Sequence, residues 1–426
     1  MSKPSDLRIA IIGGGVCGIT CAVALTKKGI NAHIYEAKGK YGEIGAGIGI
    51  GASSLQIMRE LGIYDDLLAC TPNPGECNIQ GFRFVFGSEG HEEIFKMPAR
   101  PDEYAVGIHR VTFLDILVKH LDPQYTHFNK RCVDVTVAEK FPSSSTAIFD
   151  DGSTIEADVV LLANGIKCPL RHIITGSKSN AAFGNNVCYR GLVAREETKK
   201  RGIETTYWDE PTIAIGNNRS LVIYPINGGA VLNIAAFVTR YGYAIGHPDV
   251  ARDDSAPTLE VVSNEELLEK FKDYDSNLLS ILGCLAKPNK WYINVVYPHL
   301  DSFVKGRVAL LGDAAHAMVP HLYAGAGQGI EDGYLLAQLL SHPQTTSENV
   351  EVVLEAYDAV RRPRSQKVWD DSYAAGKAQA GMGPSGFTKD GIINDVTGIM
   401  DFVNSYKLGD ELMQVEVMLK ERSVWV

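Results

Sequence analysis

Three rhythms of apolar and polar positions alternate along the 426 residues. The first is the short unbroken apolar run: Leu7 to Ile12, "ADVVLLAN" ending at Asn164-Gly165, and "GRVALLGD" ending at Gly312-Asp313. Such runs predict strands buried on both faces, as in a parallel sheet. The second is helical spacing. It predicts a helix running to about Lys28 and closed by Gly29, and an amphipathic helix from about Ser53. Further helices are expected after Arg110, over "NEELLEKFKDYDSNLLSIL", from about Gln366 to Ala380, from Ile392 to Tyr406, and in the closing "DELMQVEVMLKERSVWV". The third is alternation broken by Asn-Gly and similar turns between about Gly176 and Lys290, the signature of an antiparallel sheet. The fold class is therefore α/β: a Rossmann-like βαβ domain, an inserted mainly antiparallel β-sheet, and C-terminal helices.

Composition narrows the setting. Hydrophobic residues make up 45% of the chain, ordinary for a globular protein long enough for two or three domains. The formal charge of -10, with 41 Lys and Arg in no basic block, argues against a nucleic-acid or anionic-membrane partner. No stretch of about 18 apolar residues is present, and the N-terminus lacks a secretory core, so a cytoplasmic enzyme is expected, as monomer or homodimer. The eight cysteines form no CxxC pair, which predicts reduced thiols; Cys17 and Cys21, one turn apart, read as helix packing, and no metal site is expected.

The most legible chemistry is "IIGGGVCGITCAVALTKKGINAHIYEA". Gly13, Gly15 and Gly18 form G-x-G-x-x-G between a buried strand and a helix: a tight turn, a close approach for pyrophosphate, and close packing of helix on strand. The helix start, with Val16 and Cys17, offers free N–H groups to phosphates. Glu36, followed by Ala37, closes the second strand, where a carboxylate can accept both ribose hydroxyls of an adenosine. The motif predicts a dinucleotide and leaves FAD and NAD open, while the acid argues against a 2′-phosphate.

Beyond it come a Gly-rich loop, "YGEIGAGIGIG", then Arg110, "ANGIKCPLR" and "GDAAHAMVPHLYAGAGQGIEDG". In this order the segments resemble the single-component flavoprotein aromatic monooxygenases, over Ile9 to about Arg364, and within that family the salicylate hydroxylase branch and its fungal relatives. The resemblance implies FAD as cofactor, NADH or NADPH as reductant and O2 as co-substrate. It implies a discontinuous FAD-binding domain over 1–175 and 295–365, a substrate domain over 176–294 that takes in 76–100, and a helical cover over 366–426. Asp313 maps to the aspartate that holds the ribityl chain, and Ile48, Arg110, Asn164, Gly165 and Pro320 to further FAD contacts. Gly325, Ala326, Gly327, Gln328 and Gly329 would bring a helix N-terminus to the flavin's pyrimidine edge, where its dipole stabilises the reduced anion. One departure stands out. The family carries an aspartate at Asn164, so charge is lost there while hydrogen-bonding shape is kept, and nicotinamide handling is placed in question. Glu43 and Arg59, near the flavin loop, receive no role.

In the substrate half, Arg190 of "CYRGLV" and Tyr224 of "IYPING" fall at cavity positions of related hydroxylases. Arg190 suits a carboxylate or phenolate, and Tyr224 a hydrogen bond to the same oxygen. His321, with a near-neutral pKa, suits removal of a phenolic proton, whereas His316 reads as a structural residue bonded locally beside Asp313. Tyr323 interrupts a run of small residues and bears on substrate size. The implied reaction is hydroxylation of a phenolic aromatic acid through a flavin C4a-hydroperoxide, with loss of CO2 where the attacked carbon carries a carboxylate. The alternatives are an indole or polyketide hydroxylase, a flavin dehydrogenase, or a weakly active FAD-binding protein, the last on account of Asn164.

Overall fold

The computed structural model describes residues 7–42, 47–71, 81–88, 90–97, 105–137, 144–176, 181–252 and 256–426; Glu43 lies outside them. The unbroken apolar runs become the centre of a six-stranded sheet. Its order is Val304–Lys305, Val308–Leu310, Val159–Leu162, Ile9–Ile12, His33–Tyr35 and Thr126–His127. All neighbours are parallel except the first pair. Every residue of Ile9–Ile12 and Val159–Leu162 is buried, the reason neither run alternates.

Helix Val16–Lys27 follows the first strand and lies against helix Gly325–Leu340. Small residues allow this crossing. A Cβ at Gly312 or Gly329 would collide with the Cys17 side chain, and one at Gly333 would press on Cys21. Cys17 and Cys21 are thus packing residues in the first instance, and none of the seven described cysteines is in a disulfide.

Alternating segments form an eight-stranded sheet: Leu259–Val261, Asn289–Val296, Ala181–Ala194, Val231–Thr239, Arg219–Ile226, Thr212–Gly216, Arg83–Phe86 and Glu93–Lys96. It is antiparallel throughout except where Thr212–Gly216 runs beside Arg83–Phe86. A two-stranded piece, Gly47–Ile50 with Val106–His109, bridges toward the parallel sheet.

Two helices expected as continuous are broken. "NEELLEKFKDYDSNLLSIL" forms Asn264–Phe271 and Ser276–Leu282, because the Asp275 side chain accepts from Asn277 N (2.9 Å) and starts the second helix anew. The segment expected to run from Ile392 to Tyr406 forms Lys389–Val396 and Asp401–Asn404, separated at Gly398, whose φ of +73° no helix accommodates. The helix through Gln366 is longer than its pattern suggested, Val350–Gln379, and carries Pro363 inside it. Among the described residues no helix is long and apolar enough to cross a membrane.

Candidate functional site

The N-terminal fingerprint builds one end of a continuous cleft. Gly13 has φ +116°, and a Cβ there would strike the Ala163 carbonyl of the neighbouring strand. A Cβ at Gly18 would run into the Gly13 carbonyl, so Gly18 lets the helix sit down on its strand rather than facing the cleft. The helix begins at Val16 with Gly15 as its cap and no side chain on its first N–H groups, which leaves them to a ligand. Glu36 leans over this turn: one carboxylate oxygen accepts from Gly14 N (2.8 Å), the other from Lys38 N (2.9 Å). Each oxygen keeps a second lone pair for a hydroxyl. Gly13, Gly15, Val16, Cys17, Glu36, Ala37, Arg110, Asn164, Gly165, Asp313 and Ala326 all face this cleft.

The opposite wall comes from the strand ending at Leu310. Asp313 opens a helical turn, Asp313–His316, and is exposed to the cleft. Arg171 clamps the two motif-bearing loops together, donating to Ala314 O and Ile166 O (both 2.7 Å). The side-chain oxygen of Asn164 is buried with no partner, an acceptor waiting for a hydroxyl donor. Helix Gly325–Leu340 begins without a capping side chain, and its first residues, Gly325 and Ala326, lie on the cleft wall. A glycine cradle, a carboxylate, an orphan acceptor and an open helix N-terminus along one cleft are groups that would hold FAD.

Beneath that helix start lies a buried charge network that sequence reasoning missed. Arg361 donates to Asp332, Glu331 and Glu411 (2.7–2.8 Å) and to the side-chain oxygen of Gln328 (2.9 Å). Asp332 also accepts from Gly312 N (2.8 Å) and pairs with His316 (2.6 Å). His316 is therefore structural as expected, yet its partner is Asp332, sixteen residues on, and not its neighbour Asp313. The network ties the Gly312 turn to the flavin-edge helix. Against the upward push of burial, the Arg361 charge and the hydrogen bonds from His316 and Gly312 N hold the Asp332 carboxyl down at about 2, whereas burial pushes the Glu411 carboxyl up. The only sequence signal was the charged pair Glu331-Asp332 inside a helix otherwise suited to the core.

The cleft continues into a second chamber over the face of the eight-stranded sheet, where Ile48, Arg110, Asp313, Pro320, Gly325 and Ala326 meet Arg190, Tyr224 and His321. Arg190 donates to Gly47 O (2.9 Å), and Asn233 accepts from Gly47 N (3.2 Å), so both brace the Gly47–Ile50 strand. The Arg190 Nε and the Asn233 Nδ2 are buried without partners. Burial raises the Tyr224 phenol while the Arg190 charge works the other way. Gly327 and Gln328 line a further apolar chamber that shares Tyr224, His321 and Tyr323 with this one.

For His321 the near-neutral pKa is corrected. The ring is fully enclosed, and burial lowers it to about 4. Its Nε2 accepts from Asn186 (2.8 Å) and faces the Tyr241 hydroxyl (3.0 Å), while Nδ1 meets the Gln379 carbonyl oxygen (3.0 Å). Gly376 makes room for this arrangement, since a Cβ there would strike both His321 and Tyr241. Asn186, Tyr241 and Gln379, the partners of His321, were announced by no motif; they come from a strand, a loop and the far end of a long helix.

Comparisons with known proteins agree with this geometry. The FAD binding domain family model matches residues 6–181 and 284–372. Salicylate hydroxylase from Pseudomonas putida is 32% identical over 381 residues, 87% of this chain and 86% of that protein. A 6-methylsalicylate 1-monooxygenase from Aspergillus terreus is 31% identical over 406 residues, 89% of this chain and 87% of that one. Among solved structures, a salicylate hydroxylase substrate complex superposes with a TM-score of 0.84 at 29% identity, covering 96% of this chain and 98% of that chain. With the nucleotide cradle, the clamped loop pair and the open helix start all in place, this chain belongs to the FAD-binding family of flavoprotein aromatic monooxygenases.

Proposed function

We propose that the protein hydroxylates a phenolic aromatic acid of the salicylate type, using NADH or NADPH and O2, in the chamber between the sheet face and the Pro320–Ala326 segment. The observation that carries this reading is Arg190: a half-buried cation whose Nε is buried and unsatisfied, beside Tyr224, in the chamber continuous with the FAD cleft. The chemistry FAD supplies when bound is two-electron transfer from the nicotinamide and activation of O2. One oxygen atom enters the ring as hydroxyl and the other leaves as water; where the attacked carbon bears a carboxylate, that group departs as CO2.

The chain's own groups bind, orient and tune the phenol. Arg190 anchors the acid and, by the same charge that acts on Tyr224, favours the phenolate, whose ring carbon is the better nucleophile. Tyr224, protonated at neutral pH because burial raises its pKa, donates to the bound oxygen. His321 is neutral at pH 7 with both nitrogens engaged, so it acts as the hub that holds Tyr241, Asn186 and Gln379 in place and receives a proton only when one of these bonds gives way. The apolar walls keep water from the reacting carbon.

Product analysis with salicylate and 4-hydroxybenzoate, alongside O2 uptake and CO2 release, tests the reading. A catechol or hydroquinone with CO2 supports it; O2 consumed to peroxide with every phenol, and no hydroxylated product, overturns it. Arg190→Ala should raise the dissociation constant of the aromatic acid by about one to two powers of ten, since a charge-assisted hydrogen bond is worth roughly 1.5–3 kcal/mol. FAD affinity is measured in parallel because Arg190 also braces Gly47. An unchanged constant for the acid removes Arg190 from substrate binding.

A further inference from the structure

Next to the Arg190 chamber lies a cavity of opposite character. The two share Gly49, Tyr224, His321, Tyr323 and Gln379. Beyond this shared wall the second cavity is lined by Phe84 and Ile213 of the sheet, by Phe82 just before its strand, and by Val396, Met400 and Val403 of the C-terminal segment. No Asp, Glu, Lys or Arg is among its described lining residues. An apolar enclosure of this kind stabilises water poorly and hydrocarbon well.

Tyr323 stands at the junction in a conformation that needs explaining. Its φ is +55°, a left-handed backbone that a bulky residue rarely adopts. The ring is held by its neighbours: parallel to Phe82 at 5.3 Å between centroids, and edge-on to Tyr224 at 6.4 Å. Tyr224 is in turn edge-on to Phe82 at 6.5 Å. The rings of Phe82 and Tyr323 are too close for another ring to enter between them, so the trio forms a wall between the two cavities.

We propose that the apolar cavity receives a hydrocarbon substituent of the aromatic substrate and that Tyr323 sets the width of its entrance. The inference rests on the reading of the Arg190 chamber as the phenolic-acid site, since the acid end stays with the cation and only an uncharged end suits the second cavity. A substrate larger and more lipophilic than salicylate itself is the natural occupant of the pair.

The test is a series of salicylates carrying methyl, propyl or pentyl at each free ring position, with kcat/KM from product formation and dissociation constants from quenching of flavin fluorescence in the holoenzyme. At one ring position kcat/KM should rise by about fourfold per methylene until the cavity is full. Val403→Phe, which fills the cavity, should lower the pentyl-to-unsubstituted ratio at least tenfold. Tyr323→Gly, which opens the wall and relieves the backbone, should raise that ratio. A wild-type ratio that falls with chain length at every position overturns the proposal, as does a ratio that neither variant moves. Tighter binding of the longer compounds without hydroxylated product would retain the cavity's role and overturn the reaction assigned to the neighbouring chamber. Loss of product with no length dependence of binding would overturn both.

Discussion

At the scale of single residues, burial governs His321. In the unfolded chain its imidazole titrates near 6.5, whereas in the fold it is held down to about 4. Between those values the unfolded state binds a proton that the folded state refuses, so stability falls as pH drops through the window and is fully restored above it. The difference amounts to at most about 3 kcal/mol by pH 4 and roughly 2 kcal/mol at pH 5. Urea denaturation midpoints should therefore decline from pH 7 to pH 5, and His321→Gln should flatten that decline; parallel slopes would disprove it. His321 was legible as a cavity residue from its place before the glycine run. Its pKa was not, because burial comes from groups such as Phe237 and Tyr241, which lie far away in the sequence and close by in the fold.

At the scale of elements, the βαβ unit shows why local pattern succeeds. Each of its instructions is local: an apolar run for the strand, glycine where helix and strand touch, Gly29 to end the helix. Gly18→Ala tests the tightest of these contacts. The added methyl meets a backbone carbonyl that cannot swing aside, so the turn must open; FAD affinity should fall at least tenfold by fluorescence titration, with a lower melting temperature of the apoprotein. Unaltered affinity would show that the turn yields without cost. Pattern failed where apolar spacing carried on across a break. The rhythm of "NEELLEKFKDYDSNLLSIL" continues through Asp275, yet the carboxylate caps a new helix. Around Gly398 the same happened, and the short helix Asp401–Asn404 that results contributes Val403 to the apolar cavity.

At the scale of the whole molecule, the Arg361 network joins the flavin-edge helix to the C-terminal helix Asp410–Glu421. Its members are unequal. Glu331 and Asp332 have fully buried side chains and depend on Arg361 for compensation, while burial already pushes Glu411 toward its neutral form and one of its oxygens has no partner. Arg361→Met should cost about 3–5 kcal/mol in urea unfolding, the penalty of stranding buried charge, and should weaken FAD binding through Gln328. Glu411→Gln should cost under about 1 kcal/mol, since burial already pushes this acid toward its neutral form and an amide of the same shape still accepts from Arg361. Equal losses would show that Glu411 carries full charge in the fold.

The cover formed by residues 366–426 is where sequence and tertiary structure part most clearly. Its helices read from the sequence as a structural cover; in the fold Gln379 bonds His321, and Val396, Met400 and Val403 line the cavity beside the Arg190 chamber. By itself the sequence determined the parallel sheet, the nucleotide cradle, the Asp313 turn and the open helix start, because each depends on residues a few positions apart whose backbone geometry is set by neighbours. The tertiary structure alone decided the protonation of His321, the bracing of Gly47 by Arg190, the charge network around Arg361 and the division of the cavity by Tyr323. Those properties depend on which distant groups exclude water and on which charges they bring together, and no local spacing encodes either.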